Sequence, residues 1–208
     1  MAATATVCVL PPAIAVGWLL ARRQFAGKAL LETVVSLPLV LPPVASGLVL
    51  LWLFGRRSPV GQALDAVGIE VIFTWKAVVA AMMVISFPLV TRSVRAGIEQ
   101  VDRRYEQIAA TLGASPFRIL RTITLPLASR GIAAGAVLGF SRSLGEFGAT
   151  IMVAGAIPGQ TRTIAVGIYS LVETGREDAA WGLVAVAALL AFGAIYVSNR
   201  LLDSGARS

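Results

Sequence analysis

Five apolar stretches, each near the length of a bilayer crossing, constrain this chain before any other feature does. Residues 1–21 and 33–55 carry no charge, residues 71–91 carry only Lys76, and residues 179–199 are again uncharged. Residues 131–159 form the longest stretch and hold two charges, Arg142 and Glu146. About 20 mostly apolar residues span the hydrocarbon core as a helix, and a helix satisfies its own backbone polar groups where there is no water. The pattern predicts an all-α, polytopic transmembrane bundle of about five spans, with residues 1–208 as one membrane domain. Composition agrees: 57% of the residues are hydrophobic, against about 45–50% in a soluble domain. Histidine is absent, which removes the commonest general base and metal ligand. The single cysteine, Cys8, has no partner for a disulfide within the chain. No catalytic group and no metal site is expected.

The first stretch reads poorly as a signal peptide. It lacks a basic start, and Arg22 and Arg23 follow it where a small-residue cleavage site would stand. It begins at Met1 with no polar lead-in, so a shortened N-terminus is expected. Positive charge between the stretches sets the orientation. Arg22, Arg23 and Lys28 lie in the first loop; Arg92, Arg95, Arg103, Arg104, Arg118, Arg121 and Arg130 lie in or beside the third; Arg200 and Arg207 lie in the tail. The second and fourth loops hold only Arg56, Arg57, Arg162 and Arg176, with Lys76 at the boundary. The first and third loops are therefore expected in the cytoplasm, with the N-terminus outside and the C-terminus inside.

The second stretch contains Pro38, Pro42 and Pro43. Each proline removes an N–H and crowds the preceding turn. Two readings follow: a helix that starts after Pro43 behind an extended lead-in, or a broken helix lining a pathway, where protein or water covers the freed carbonyls. In the fourth stretch, Arg142 and Glu146 stand four residues apart and would share a helix face. A charged residue at bilayer depth costs about 2.5–3.5 kcal/mol on insertion scales and almost always faces the bundle interior. Arg before Glu is the poorer order for such a pair, so a partner on another helix or on a second copy is the second reading. Gly131, Gly135 and Gly139 make a tandem GxxxG run that permits close helix approach, within this chain or against a second copy.

The third loop is too long for a simple turn. Asp102 can cap a helix in which Tyr105, Ile108, Ala109 and Leu112 fall at i, i+3, i+4 and i+7, giving one apolar face. Gly113 suits a left-handed cap, Ser115-Pro116 suits the start of a second helix, and Pro126 is expected to break the chain before the fourth span. A helix lying on lipid headgroups would show the same pattern.

The run "YEQIAATLGASPFRILRTITLPL" resembles the EAA loop of ABC importer permeases, matching at Glu106, Ala109, Gly113, Ile123, Leu125 and Pro126. Ile108 stands where that motif usually has alanine. The resemblance implies a type I ABC importer permease whose coupling loop, about 96–126, docks on a cytoplasmic ATPase through Tyr105, Glu106, Gln107, Ile108, Ala109, Ala110, Leu112, Gly113 and Pro126. Small Ala109 and Ala110 would allow close approach. Arg103, Arg104, Arg118 and Arg121 would steer towards an acidic rim, or else set topology and meet lipid phosphate.

Over nearly the whole chain, "ARRQFAGKALLETVVSLPLVLPPVASG" and "SRSLGEFGATIMVAGAIPGQTRT" resemble the molybdate and sulfate type of these permeases, and more the molybdate one. That implies import of molybdate or tungstate, with sulfate or thiosulfate as the alternative. It also implies two permease copies, two ATPase subunits carrying ATP and Mg, an external binding protein, and no cofactor or nucleic acid on this chain. The absence of a G-x-x-x-x-G-K-[ST] loop agrees with nucleotide sitting on a partner. Arg142, Glu146, Pro42 and Pro43 are then candidates for the gate or translocation path. Arg142 could meet the oxyanion directly, although Glu146 would oppose it. A remote alternative, an intramembrane enzyme built on Arg142 and Glu146, has no nucleophile–base pair to support it.

Overall fold

The computed structural model describes residues 1–203, and every regular element among them is helical. Arg207 of the predicted tail lies outside the described residues. Helix α1 (Ala2–Arg22) passes through Pro11 and Pro12 unbroken. Helix α2 (Lys28–Val40) likewise continues through Pro38. The chain then turns by 112° into α3 (Pro43–Phe54), with Pro42 at the cap and Pro43 at the first helical position. There proline's missing N–H has no helical partner to lose. The lead-in to Pro43 is therefore a helix and not an extended strand.

A short α4 (Pro59–Ala66) follows, capped by Ser58, whose hydroxyl accepts from Gly61 N–H at 2.8 Å. Thr74 then caps α5 (Trp75–Glu99) through Lys76 N–H at 3.2 Å. This helix reaches eight residues past the predicted stretch, so Arg92 and Arg95 belong to its end and not to the loop. The loop helices are α6 (Arg103–Thr111) and α7 (Pro116–Ile119). A π turn, Leu120–Thr124, leads to α8 (Leu125–Leu127) and α9 (Ser129–Leu144). The chain ends in α10 (Gly148–Ala154), α11 (Ile164–Glu173) and α12 (Glu177–Asp203).

Two expectations fail here for a physical reason. Pro126 does not break the chain: the widened turn at Leu120–Thr124 precedes it, and the 71° bend comes at Ala128 instead. A π turn relaxes the i→i−4 ladder that an interior proline disrupts. The fourth stretch is not one helix. It stops at Leu144, turns through Gly145, and restarts at Gly148. Helix α11, apolar but only ten residues long, was not among the predicted spans.

By length and composition α1, α5 and α12 can each cross a membrane, and counting each bent pair as one span gives five. Helix α5 forms the centre. Thirteen of its residues are buried, from Ala77 to Ile98, and α1 and α9 pack on it as well as on each other. Close approach comes from small residues. A Cβ built on Gly17 of α1 would lie 2.9 Å from Val94 Cγ1, and one on Gly131 of α9 would lie 2.6 Å from Gly97 Cα. Helix α12 packs on α9 and α11 but leaves Trp181, Leu189 and Phe192 about 70% exposed. An apolar exterior of this kind is the surface a bilayer or a second membrane helix covers.

Candidate coupling surface and buried charge pair

Helix α6 starts where Asp102 Oδ1 accepts from Arg104 N–H at 2.9 Å. It ends where Gly113 adopts φ +81°, with Gly113 N–H donating to Ala110 O and Ala114 N–H to Ala109 O, both at 3.0 Å. This left-handed cap satisfies the last carbonyls. Ser115 then caps α7 through Arg118 N–H at 3.4 Å. No residue of α6 or α7 is fully buried.

The two faces of α6 differ. Tyr105, Ile108 and Leu112 point away from the chain and are exposed, joined by Phe117 of α7. Arg103, Glu106, Gln107 and Ala110 line the opposite side, a cavity of about 350 Å³ shared with Trp18 and Arg22 of α1 and with Leu120 and Thr124 of the π turn. The predicted docking set is thus divided. Tyr105, Ile108 and Leu112 are free for a partner, Ala109 is half-buried, Glu106 faces its own chain, and Gln107 and Ala110 line the cavity while remaining exposed.

Glu106 is engaged from two elements. Its Oε1 accepts from Arg22 Nε at 3.1 Å, lies 3.0 Å from Arg22 Nη2, and accepts from Thr124 Oγ1 at 2.7 Å. Arg22 Nη2 also donates to Val101 O at 2.9 Å, and Arg103 Nη2 to Ala21 O at 3.3 Å. Arg103 is exposed and keeps its charge while making this one bond to its own chain. Arg22 was legible only as a topology charge, and nothing local marks Thr124.

The second site lies at the junction of α9 and α10. Arg142 sits in the last turn of α9, whereas Glu146 lies beyond its end. They pair at 3.0 Å between Arg142 Nη1 and Glu146 Oε2, across a turn and not along one helix face. Glu146 is 1% exposed, and its Oε1 accepts from Ala149 N–H at 2.8 Å in the first turn of α10. A carboxylate at a helix start favours the free N–H groups and the positive end of the dipole. This explains how the charge is tolerated at depth: one oxygen is paired with a cation and the other caps a helix.

The same junction meets the proline break. A Cβ on Gly148 would approach Pro43 Cβ to 3.0 Å and Val44 N to 3.1 Å, and one on Gly47 would approach Ala149 Cα to 2.8 Å. Pro43 and the Arg142–Glu146 junction, singled out separately in the sequence, are thus brought together by the α3–α10 contact. Gly131, Gly135 and Gly139 face α5, opposite Gly97, Ser93 and Val90, so this run packs the chain on itself.

A bundle of broken, apolar helices around α5, with an exposed amphipathic helix at one end, is the fold of a polytopic membrane protein. Residues 13–207 match the binding-protein-dependent transport system inner membrane component family, and the chain belongs to that family. It is 49% identical over 194 residues to the molybdenum transport system permease protein ModB of Escherichia coli, covering 92% of this chain and 85% of that one. It is 37% identical over 205 residues to ModB of Azotobacter vinelandii, covering 96% and 90% respectively. The sulfate transport system permease protein CysT of Salmonella typhimurium is 37% identical over 169 residues, covering 81% of this chain and 61% of that one. The fold is shared with a chain of a solved bacterial alginate ABC transporter, at TM-score 0.67 and 17% identity over 95% of this chain and 75% of that one. It is also shared with a chain of the MetNI methionine ABC transporter, at TM-score 0.63 and 16% identity over 96% and 89%.

Proposed function

We propose that this permease carries molybdate or tungstate through the cytoplasmic membrane as part of an ATP-driven importer. The observation that carries the reading is the 49% identity to a molybdenum permease, which extends over 92% of the chain. The sulfate permease covers less of the chain at lower identity, so sulfate or thiosulfate is the second reading.

In this reading two copies of the chain form the pathway, and an external binding protein delivers the anion. Two ATPase subunits, holding ATP and Mg, dock on the exposed face made by Tyr105, Ile108 and Leu112. Arg104 and Arg118, at the surface of the loop, steer that approach. The loop of about 96–126 and the basic ends of α1 and α5 face the cytoplasm, the N-terminus lies outside, and lipid covers the outer apolar faces. The junction of Arg142, Glu146, Pro42 and Pro43 forms a gate element: a short helix, α10, is held by one carboxylate against a broken helix, α3. The relatives that carry this reading are transport permeases, which leaves the enzyme reading without support.

The test is uptake of labelled molybdate in cells lacking this subunit, with and without the chain restored, competed by tungstate and by sulfate. Restored uptake that tungstate blocks and sulfate does not is the expected result. Uptake blocked equally by sulfate would move the reading to the sulfate class, and no restored uptake of either anion would overturn it.

A further inference from the structure

Glu106 belongs to the motif that resembles a docking loop, yet its carboxylate is turned away from the exposed face of α6. Successive residues on an α-helix are about 100° apart, so Glu106 cannot share the face centred on Tyr105, Ile108 and Leu112. It lies instead against the last residue of α1. Arg22 has a side chain only 8% exposed, and both its Nε and its Nη2 reach Glu106 Oε1. Nη2 also holds Val101 O, in the link between α5 and α6. Thr124 Oγ1 reaches the same Oε1 from the π turn that leads towards α9. The carboxylate oxygen thus joins α6 to α1 and to the segment feeding α9, and Arg22 carries the link on to the α5–α6 connection.

We propose that Arg22 is a positioning residue for transport, holding Glu106 inside the chain so that displacement of α6 is passed directly to α1 and α9. This rests on the importer reading above, and deepens it by locating the force-bearing contact within the permease. The packing supports the route. Helices α1 and α9 pack on α5 and on each other, and α9 is seated on α5 by the Gly131–Gly97 contact, where neither backbone can yield without moving the other. Without the Arg22–Glu106 contact, α6 would keep its exposed face for a partner. Its remaining polar ties among the described residues would be the 2.7 Å bond from Thr124 to Glu106 and the 3.3 Å bond from Arg103 to Ala21 O, neither of them a charge pair. A partner could then rock α6 with its only charged link to α1 gone.

The experiment uses the whole complex, permease with its ATPase and binding protein, reconstituted in liposomes with molybdate as the transported probe. Two quantities are read: molybdate imported per ATP hydrolysed, and ATPase retained on the purified permease. Arg22→Gln and Glu106→Gln are each expected to lower the import-to-hydrolysis ratio at least about tenfold, the factor one charge-assisted hydrogen bond carries. ATPase retention should stay at the wild-type level in both. The double variant should be no worse than either single one. Thr124→Val, which removes one bond and adds no charge, should give a smaller loss in the same direction. The proposal is overturned if Arg22→Gln leaves the ratio unchanged, or if Glu106→Gln strips the ATPase from the permease, which would put Glu106 at the docking surface. If the wild-type permease itself retains no ATPase, the importer reading fails instead, and the two failures are distinct.

Discussion

The two oxygens of Glu146 are used separately, one on Ala149 N–H at 2.8 Å and the other on Arg142 Nη1 at 3.0 Å. Removing Arg142 would leave a buried carboxylate without its cation, a change that costs about 3–5 kcal/mol for a fully buried pair. Arg142 is 33% exposed, so solvent moderates that cost and a smaller loss is expected for Arg142→Ala. Glu146→Gln keeps an acceptor for Ala149 N–H and should be the mildest change, whereas Glu146→Ala loses both contacts. Thermal unfolding of the purified permease in detergent should rank the variants in that order. A coupling energy of about 0.5–3 kcal/mol between Arg142→Ala and Glu146→Ala is expected from direct contact; additive effects would rule direct pairing out. Both charges were visible in the sequence as a cost in the wrong place. The turn between them was not, because Gly145 inside an apolar run carries no stop signal of its own. Of the two partnerships the sequence allows, within the pair or with another helix, the structure has the first, formed across the turn.

Among the elements, the seam between α5 and α9 is the least tolerant of added volume. A methyl on Gly131 would meet Gly97 Cα at 2.6 Å, backbone against backbone. Overpacking costs about 1–3 kcal/mol where side chains can shift; here only whole helices can. Gly131→Ala and Gly97→Ala are therefore expected to reduce folded permease recovered from membranes severalfold. Gly182 of α12 has nothing within 4 Å of an added Cβ. Gly182→Ala should be neutral or stabilising by up to about 1 kcal/mol, since alanine is the better helix former. Equal losses at all three positions would count against the seam.

The left-handed cap of α6 gives a second contrast at this scale. Gly113→Ala places a side chain at φ +81° and is expected to cost roughly 1–2 kcal/mol locally. It should lower uptake while leaving the bundle's thermal stability unchanged. The local signals of α6 and α7 were all legible: Asp102, Gly113, and Ser115 with Pro116 stand where capping chemistry requires them. The bend at Ala128 was not, because the π turn that absorbs Pro126 arises from the chain's return to the bundle and not from its own composition. Which glycine faces which helix was equally hidden, since GxxxG states that a neighbour comes close without naming it.

At the scale of the whole molecule, two long-range contacts fix which ends lie together. Phe73 N–H donates to Val153 O at 3.1 Å, which brings the start of α5 beside the end of α10. Arg22 pairs with Glu106, which brings the end of α1 beside α6. The ends of the bundle are therefore distinct, and their charges differ. Arg22, Arg23, Arg92, Arg95, Arg103, Arg104, Arg118 and Arg121 lie on the end of α1, the end of α5 and the α6-to-π-turn segment, where they outnumber Glu32, Glu99, Asp102 and Glu106. At the other end of the bundle, Arg56 is paired with Glu70 at 2.9 Å, and Asp65, Glu173, Glu177 and Asp178 offset the remaining cations.

Alternating spans already put the first and third loops on one side in the sequence; what it could not show is that the end of α1 meets α6 there, which follows from the packing of α1 on α5. Positive charge is retained on the cytoplasmic side, so the α6 end is expected inside. Cysteines introduced one at a time at Arg104 and at Gly159, in a chain with Cys8 replaced by Ser, provide the check in intact cells. A membrane-impermeant maleimide should label the Gly159 site from outside and reach the Arg104 site only after the membrane is opened. The reverse pattern would invert the permease and put α6 out of reach of any cytoplasmic ATPase. Labelling of both sites from outside would mean that an odd number of crossings between them does not hold, and that one of the bent pairs re-enters the membrane without crossing it.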